Sequence, residues 1–546
     1  MLVDKKKIIY AVFNTIIMKK IFAITISSIL FINVIGQVSI TKPDKKALKI
    51  AQTNLLKENF NEAFNMFSTL YNKYPQNPEV LFGIGVCKLN KRGEEKYALP
   101  ILIEAYRNGT KSDDILFYLG KSYHYHHKFD EAQSSFEEYK TNNKISIPIA
   151  EIDKNIEMAI NAKKQIRNAR NLEIVNIGPS INTKNEESRP VVLPNGKGMF
   201  FTSRREGGFS NDKNFKGNYF QDIYFSEYKN HEWETAFNEK TFNSKLNDGG
   251  VSISHDGSIL ISYIINDNSA KKTTSTEGNL YYSTYSDSAL WAAPVKFGPS
   301  INSEYQEESA CLSLDKKTLY FSSNRPGGYG GFDLYKVKQL PNGVWGEAVN
   351  LGPIINTEHD EKAPYLHVDG ETFYFSSEGH TTMGGFDIFK SYERANKYWS
   401  TPVNIGYPIN TVEDDIYFTI SEDNKTGYCS SDREGSLGGQ DIFKIKMFDA
   451  ANYQEVIHCS IFNKAEKKPV NAKITLIDEV SHQLKGIYRP NGSGKFIMVI
   501  LPGVDYQIAI EAEGYNSRIL HMNFPESTEL YTNYEFNLVK KEFKQQ

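Results

Sequence analysis

One motif recurs five times between residues 172 and 448, and it limits the fold more than any other feature of the chain. It opens with a turn: Gly178-Pro179-Ser180-Ile181-Asn182, Gly298-Pro299-Ser300-Ile301-Asn302, Gly352-Pro353-Ile354-Ile355-Asn356 and Gly406-Tyr407-Pro408-Ile409-Asn410. The second copy keeps only Phe242-Asn243-Ser244. Matching asparagines lie 61, 59, 54 and 54 residues apart. After the turn come a short strand, a tight turn such as Asp256-Gly257 or Asp369-Gly370, and an aromatic strand at 199–203, 319–323, 373–377 and 428–431. A glycine-rich loop then leads into Asp222-Ile223-Tyr224, Asp333-Leu334-Tyr335, Asp387-Ile388-Phe389 and Asp441-Ile442-Phe443, with Asn279-Leu280-Tyr281 as the second copy's variant. Trp233, Trp291, Trp345 and Trp399 are each expected to begin a last strand, and they are all the tryptophans in the chain. Four short strands per unit, each bounded by turn residues, predict a β-propeller of five blades. An array of β-sandwiches would not repeat one motif at so nearly constant a period.

The fifth copy ends at Lys446-Met447-Phe448 without a tryptophan strand, whereas a strand-like segment at 172–177 precedes the first opening turn. Its Leu-Glu-Ile-Val-Asn-Ile-Gly pattern matches Ala348-Val349-Asn350-Leu351-Gly352. The segment is therefore expected to supply the outer strand of the fifth blade. Both ends of the repeat then meet in one sheet, and no long edge stays open. Asp222, Asp333, Asp387 and Asp441 can be read as calcium ligands or substrate contacts, but an aspartate before such a strand more often caps a turn through backbone hydrogen bonds. The motif set resembles TolB-type, WD-repeat-like propeller repeats, in which an Asp-Gly turn precedes a Phe-Ser-Ser-like strand and then Asp-Ile-Tyr.

Residues 44–170 have a different period. Leu119, Gly120 and Tyr123 followed by Phe129, Ala132 and Phe136 form the clearest unit of a helical repeat near 34 residues. Ala51, Phe60, Ala63 and Phe67, with Pro75 behind them, form an earlier one, and Leu81, Ile84, Gly85, Ala98, Leu102 and Tyr106 a looser one between. Small residues admit a close partner helix and large ones fill the groove between units. The pattern resembles the tetratricopeptide repeat, which implies an α-solenoid. Ile149, Ile152, Ile156 and Ile160 place a further helix at 147–169, expected as the solvating cap. A concave groove that binds a peptide or partner is favoured over a passive spacer. His124, His126 and His127 do not share one helical face, so no metal site is expected there.

The N-terminus reads as an export signal. Lys19 and Lys20 precede an apolar run at 21–35, and small residues at Val34 and Gly36 place cleavage between Gly36 and Gln37. Met18 is the more natural start. The run is shorter than the roughly 20 residues that span a bilayer. Loss of residues 1–36 takes away five lysines and Asp4, so the formal charge of −3 falls to −7. That balance gives no electrostatic case for nucleic acid. The four cysteines, Cys87, Cys311, Cys429 and Cys459, fall in four different units with no CxxC, and are expected as buried thiols.

Residues 455–540 alternate apolar and polar side chains in strand-like runs at 457–462, 472–478, 495–500 and 506–512. The order Pro469-Val470, Asn491-Gly492-Ser493-Gly494, Leu501-Pro502-Gly503 and Gly514-Tyr515 resembles the carboxypeptidase regulatory-like domain, which implies a small transthyretin-like β-sandwich. Helical repeats, propeller and sandwich in that order, after an export signal, resemble the PorE-type OmpA-family proteins of Bacteroidetes. The resemblance implies a periplasmic protein associated with the outer membrane and with type IX secretion or gliding machinery. It implies envelope proteins as partners, among them a PorP/SprF-like outer-membrane protein. Those relatives continue into an OmpA-like peptidoglycan-binding domain, whereas this sequence ends at Gln546 after Leu538-Val539-Lys540. Direct anchoring to the cell wall is not expected.

No catalytic motif stands out. Asn491-Gly492-Ser493-Gly494 lacks the first glycine of GxSxG, His231-Glu232 is followed by Trp233-Glu234-Thr235 rather than completing HExxH, and no GxxxxGK[ST] loop occurs. The expectation is a non-enzymatic scaffold without a cofactor. The alternative is a module for carbohydrate or peptidoglycan fragments that uses Tyr329, Phe332 and Phe386 on the propeller face.

Overall fold

The computed structural model describes residues 39–541 apart from 211, 214–216, 267–276, 287–289, 394–397, 422–424, 448–454, 501–502 and 525–532. The expected signal segment, with Gly36 and Gln37, lies outside the described residues. No helix among the described residues is long and apolar enough to cross a membrane. The chain divides into two units, one running to Tyr118 and one from Leu119.

The first unit contains helices α1 (Lys42–Leu56), α2 (Phe60–Tyr71), α3 (Pro78–Leu89) and α4 (Ala98–Arg107), and the start of α5 (Ile115–Tyr125). Local chemistry sets where they begin. Asn77 Oδ1 accepts from the Glu79 and Val80 N–H groups at 3.1 and 3.2 Å, and Pro78 follows, a residue with no N–H to leave unpaired. Ala51, Ala63, Phe67, Leu70 and Val80 form a buried core.

The second unit begins inside α5 and continues through α6 (Phe129–Lys140) and α7 (Ile149–Arg167). A Cβ at Gly120 would stand 2.5 Å from the Phe136 ring, so glycine is what lets these helices close. Helix α7 is partly covered. Ile152, Ala159 and Ala162 are buried, and Ala162 shares a core with Phe129 and Met383 of the propeller. Of the expected isoleucine stripe, Ile152 is buried whereas Ile149 and Ile160 are exposed, and the contact with the β-loop is made by Ala162.

Five antiparallel sheets follow. Their first strands are Glu187–Val192, Asn247–Ile253, Glu307–Leu312, Glu361–Leu366 and Asp415–Ile420. Each first strand contacts the next, and the fifth contacts the first, so the five close into a propeller-like ring. Blade five takes its outer strand from the start of the repeat region. Leu172–Asn176 pairs with Asp441–Met447, with Leu172 opposite Met447 and Asn176 opposite Phe443.

The tryptophans depart from expectation. Trp291, Trp345 and Trp399 each make a single bridge to the residue just past the third strand, and the outer strands that follow, Val295–Lys296, Val349–Asn350 and Val403–Asn404, are two residues long. Side-chain packing holds these short edges. Each indole lies edge-on to an aromatic ring of the preceding blade: Trp233 to Tyr428, Trp291 to Phe200, Trp345 to Phe297 and Trp399 to Tyr320. Trp233 lies in the two-residue strand Glu232–Trp233, whereas the other three stand ahead of their strands, and all four are joints between blades.

Beyond the ring, a three-stranded sheet (Lys495–Ile500, Glu455–Asn463, Asn533–Leu538) and a four-stranded sheet (Leu484–Tyr488, Lys473–Asp478, Asp505–Glu511, Arg518–Asn523) share one core. Ile461, Ile474, Leu476, Met498 and Ile508 are among its buried residues. All four cysteines are free and buried, and burial pushes their thiols up to about 12.

Candidate functional site: the propeller axis and its rim loops

The polar residues that recur in the blades bond to one another. Asp333 Oδ2 accepts from the Tyr329 N–H at 2.6 Å and from Asn350 Nδ2 at 3.0 Å, tying the glycine-rich loop to the outer strand. Asp222 holds Phe209 N–H and Asn238, Asp387 holds Met383 N–H and Asn404, and Asp441 holds Leu437 N–H and Asn176 in the same way. Burial raises Asp387 well above the ordinary carboxylate range. The opening-turn asparagines reach back to the preceding blade. Asn356 accepts from the Leu334 N–H and donates to the Leu334 carbonyl, and Asn182, Asn243, Asn302 and Asn410 do the same with Ile442, Ile223, Leu280 and Ile388.

A second set was missed in the sequence. Five residues after each opening-turn asparagine stands a buried acid: Glu187, Asp248, Glu307, Glu361 and Asp415. Each accepts from the main-chain N–H and the hydroxyl of a nearby Thr or Ser, as Glu361 does from Thr357. In blades one, three and five an arginine two residues beyond the aromatic strand pairs with it: Arg205 with Glu187, Arg325 with Glu307 and Arg433 with Asp415. The same arginines donate to the Ile181, Ile301 and Ile409 carbonyls. Blade four has Gly379-His380 there. His380 Nε2 donates to the Ile355 carbonyl at 2.9 Å, and its ring lies against Phe375 and Phe389. Among the described residues no cation contacts Glu361 or Asp248, and burial pushes each carboxyl up to about 7. The signals were present as Asn-x4-Glu/Asp and Ser-x-Arg.

The axis carries single-copy residues rather than repeated ones. Every first strand has a register shift in its middle, at 188–191, 249–252, 307–310, 362–365 and 416–419. Arg189, Ala363 and Tyr417 there have φ values of 60, 52 and 60°, a conformation that costs an L-residue roughly 1 kcal/mol or more. A Cβ on Gly250 would lie 1.9 Å from the Tyr263 ring and 2.8 Å from the Glu308 carbonyl, so blade two must supply glycine. Into that gap comes a charged cluster. Arg189 pairs with Glu308 and lies between the Tyr263 and Tyr417 rings, 4.8 and 4.0 Å from their centres. Lys362 Nζ lies 3.2 Å from Glu308 and 3.1 Å from Asp360, over the Phe332 and Phe386 rings. Burial opposes the Glu308 charge, but Lys362 and Arg189 outweigh it and hold the carboxyl down to about 2. Two cations and two anions thus balance in a small volume, which is what burying them requires.

This cluster separates two cavities. One, of 360 Å³, is lined by Tyr228, Trp233, His255, Tyr365, Tyr428 and Lys444 among others. The other, of 280 Å³, is lined by Glu186, Ser188, Arg204, Gln221, Gln306 and Gln440. Arg189 and Tyr417 border both. Among the described residues no group of three or more His, Cys, Asp or Glu side chains is placed to hold a metal ion.

The third feature is the rim loop of blade four. Met383 is fully buried against Phe129 and Ala162, His124 Nε2 donates to the Met383 carbonyl at 2.8 Å, and Asn161 Nδ2 donates to the Thr382 carbonyl at 3.2 Å. Burial pushes His124 down to about 4, so it meets the loop as a neutral donor. His126 bonds its own helix at the Ser122 carbonyl, so the three histidines do not converge. Of the aromatics expected on the propeller face, Tyr329 is exposed, whereas Phe332 and Phe386 face Lys362.

No family model matches the chain, and no curated protein matches it. Solved structures do. A TolB from Agrobacterium tumefaciens is 13% identical over 66% of this chain and 92% of its own, with a TM-score of 0.30. A family 117 glycoside hydrolase from Zobellia galactanivorans is 12% identical over 51% and 91%, with a TM-score of 0.33. A Penicillium chrysogenum α-L-arabinanase solved with arabinobiose is 12% identical over 50% and 97%, with a TM-score of 0.31. The expectation of a chain without catalytic activity is corrected by these matches, which include glycoside hydrolases beside TolB.

Proposed function

We propose that the protein is a periplasmic binding component that gathers other envelope proteins at the outer membrane, within secretion or gliding machinery of the type IX kind. In this reading the helices are a tetratricopeptide-type array, the ring a five-bladed TolB-type propeller, and the tail a carboxypeptidase regulatory-like sandwich. One observation carries it: the ring already holds helices. Helices α5 to α7 sit on the blade-four loop through Met383 and two side-chain hydrogen bonds to main-chain carbonyls. The partner expected is an integral outer-membrane protein of the PorP/SprF kind. Affinity purification of the tagged full chain from envelope extracts tests the reading. Stoichiometric recovery of discrete outer-membrane proteins supports it, whereas retention on cell wall alone overturns it. N-terminal sequencing of the mature chain tests export, and an intact Met1 or Met18 removes the periplasmic assignment.

A second reading is favoured by the larger axial cavity. Its 360 Å³ and its aromatic lining of Tyr228, Trp233, Tyr365 and Tyr428 suit a small saccharide or peptidoglycan fragment. Calorimetric titration with such fragments, repeated on His255→Ala, decides it. Heat that disappears in the variant supports a saccharide site, and no heat with either protein removes it.

A further inference from the structure

The residue whose N–H caps the blade aspartate occupies one fixed place in the rim loop, six residues after the serine that ends the second strand. In blade four it is Met383; in blades three and five it is Tyr329 and Leu437. All three N–H groups donate to the aspartate at 2.6 to 2.7 Å, so each side chain is held out from the same rigid anchor. Their surroundings differ completely. Met383 is 0% exposed beneath α6 and α7, whereas Tyr329 is 52% and Leu437 53% exposed. Phe209 has the same place in blade one, but a longer loop follows it there, part of which lies outside the described residues.

Met383 shows what such a knob is suited to. A small residue, Ala162, admits it to the helix surface. An imidazole and an amide, His124 and Asn161, then donate to the Met383 and Thr382 carbonyls. The loop supplies an apolar side chain and acceptors; the helices supply a gap and donors. Blades three and five flank blade four in the ring, so their knobs continue the rim on either side of an interface already built. We propose that Tyr329 and Leu437 are seats for an amphipathic helical hairpin of a partner protein, which presents an alanine or glycine over the knob and a His, Asn or Gln donor to the loop carbonyl. This deepens the scaffold reading and rests on it.

Photocrosslinking tests the proposal. The full chain, carrying p-benzoylphenylalanine at position 329 or 437 and, as control, at Asn342 on an exposed turn of blade three, is irradiated in intact envelopes. Adducts are then mapped by mass spectrometry. The expected result is an adduct from 329 or 437, absent from 342, to another protein within a segment whose apolar residues recur every three to four positions. Tyr329→Ser with Leu437→Ser should then reduce recovery of that protein at least tenfold, with the unfolding midpoint of the ring unchanged. No adduct at either position, equal adduct at 342, or an adduct to lipid, glycan, a second copy of this chain or a strand overturns the proposal. Crosslinks to envelope proteins from Ile50 on α1 but none from the two knobs would overturn it while leaving the scaffold reading intact.

Discussion

The loop after the second strand begins alike in blades one, three, four and five, with a serine and a capping N–H six residues on, and ends differently in blade four. Ser203-Arg204-Arg205, Ser323-Asn324-Arg325 and Ser431-Asp432-Arg433 each send an arginine back to a buried acid. Ser377-Glu378-Gly379-His380 sends a histidine to the matching carbonyl, and among the described residues no cation forms an ion pair with Glu361. A Cβ at Gly379 would lie 2.1 Å from Thr357 Oγ1, so no larger residue fits without moving the opening turn. The same loop that lost its arginine carries Met383 beneath the helices. Once packing and hydrogen bonds hold a repeat together, one copy can give up an ion pair and become an interface. The buried pair contributes definition more than net stability, since desolvation offsets much of its attraction.

The largest effect should come from breaking the pair where it exists. Arg433→Leu leaves Asp415 buried and unpaired and should cost the ring about 3 to 5 kcal/mol. Urea unfolding followed by tryptophan fluorescence measures it, because all four tryptophans lie in the ring. A loss below about 1 kcal/mol would break the comparison.

Next comes the loop position itself. Met383→Ala should cost about 2 to 4 kcal/mol of helix docking, read as faster hydrogen exchange in α6 and α7. Leu437→Ala, at the exposed equivalent, should stay within about 0.5 kcal/mol.

The unpaired acids should then show themselves through pH. With its carboxyl raised from 4.5 to about 7, Glu361 holds a proton in the folded chain that the unfolded chain has already released. Its contribution is therefore greatest at low pH and is lost as pH rises through about 7. Asp248, raised from 3.8 to about 7, behaves alike. Between pH 5 and 7 each should remove roughly 2 kcal/mol of ring stability. Urea titrations at pH 5, 6 and 7 should show this fall, and Glu361→Gln with Asp248→Asn should flatten it. The smallest effect is Glu361→Gln at pH 7. It should shift stability by less than about 1 kcal/mol, because the amide replaces a carboxyl that has no cation to strand.

Much of the ring was legible. The repeat length showed four short strands per blade, and the missing fifth tryptophan strand pointed to residues 172–177 as the closure. Those features depend on local turn chemistry and strand alternation, which neighbouring residues decide. The axial cluster was not legible. Arg189, Glu308 and Lys362 each stand one or two residues after the repeated acid of their strand, and they lie in different blades. Nothing in the spacing of one blade says that they meet. Three of the four tryptophans stand ahead of the outer strand that each was expected to begin.

The sequence alone determined the number of repeats and the positions of the turns, since each rests on contacts between residues close along the chain. It pointed to the closure because one copy lacked its last strand and a matching segment stood before the first. Only the tertiary structure decided which copy would carry the helices and what would fill the axis. Those rest on groups far apart along the chain, as His124 and Met383 or Arg189 and Glu308 are, that meet only in the folded protein. Burial then sets their charge, their pairing and the one loop in which Met383 is covered.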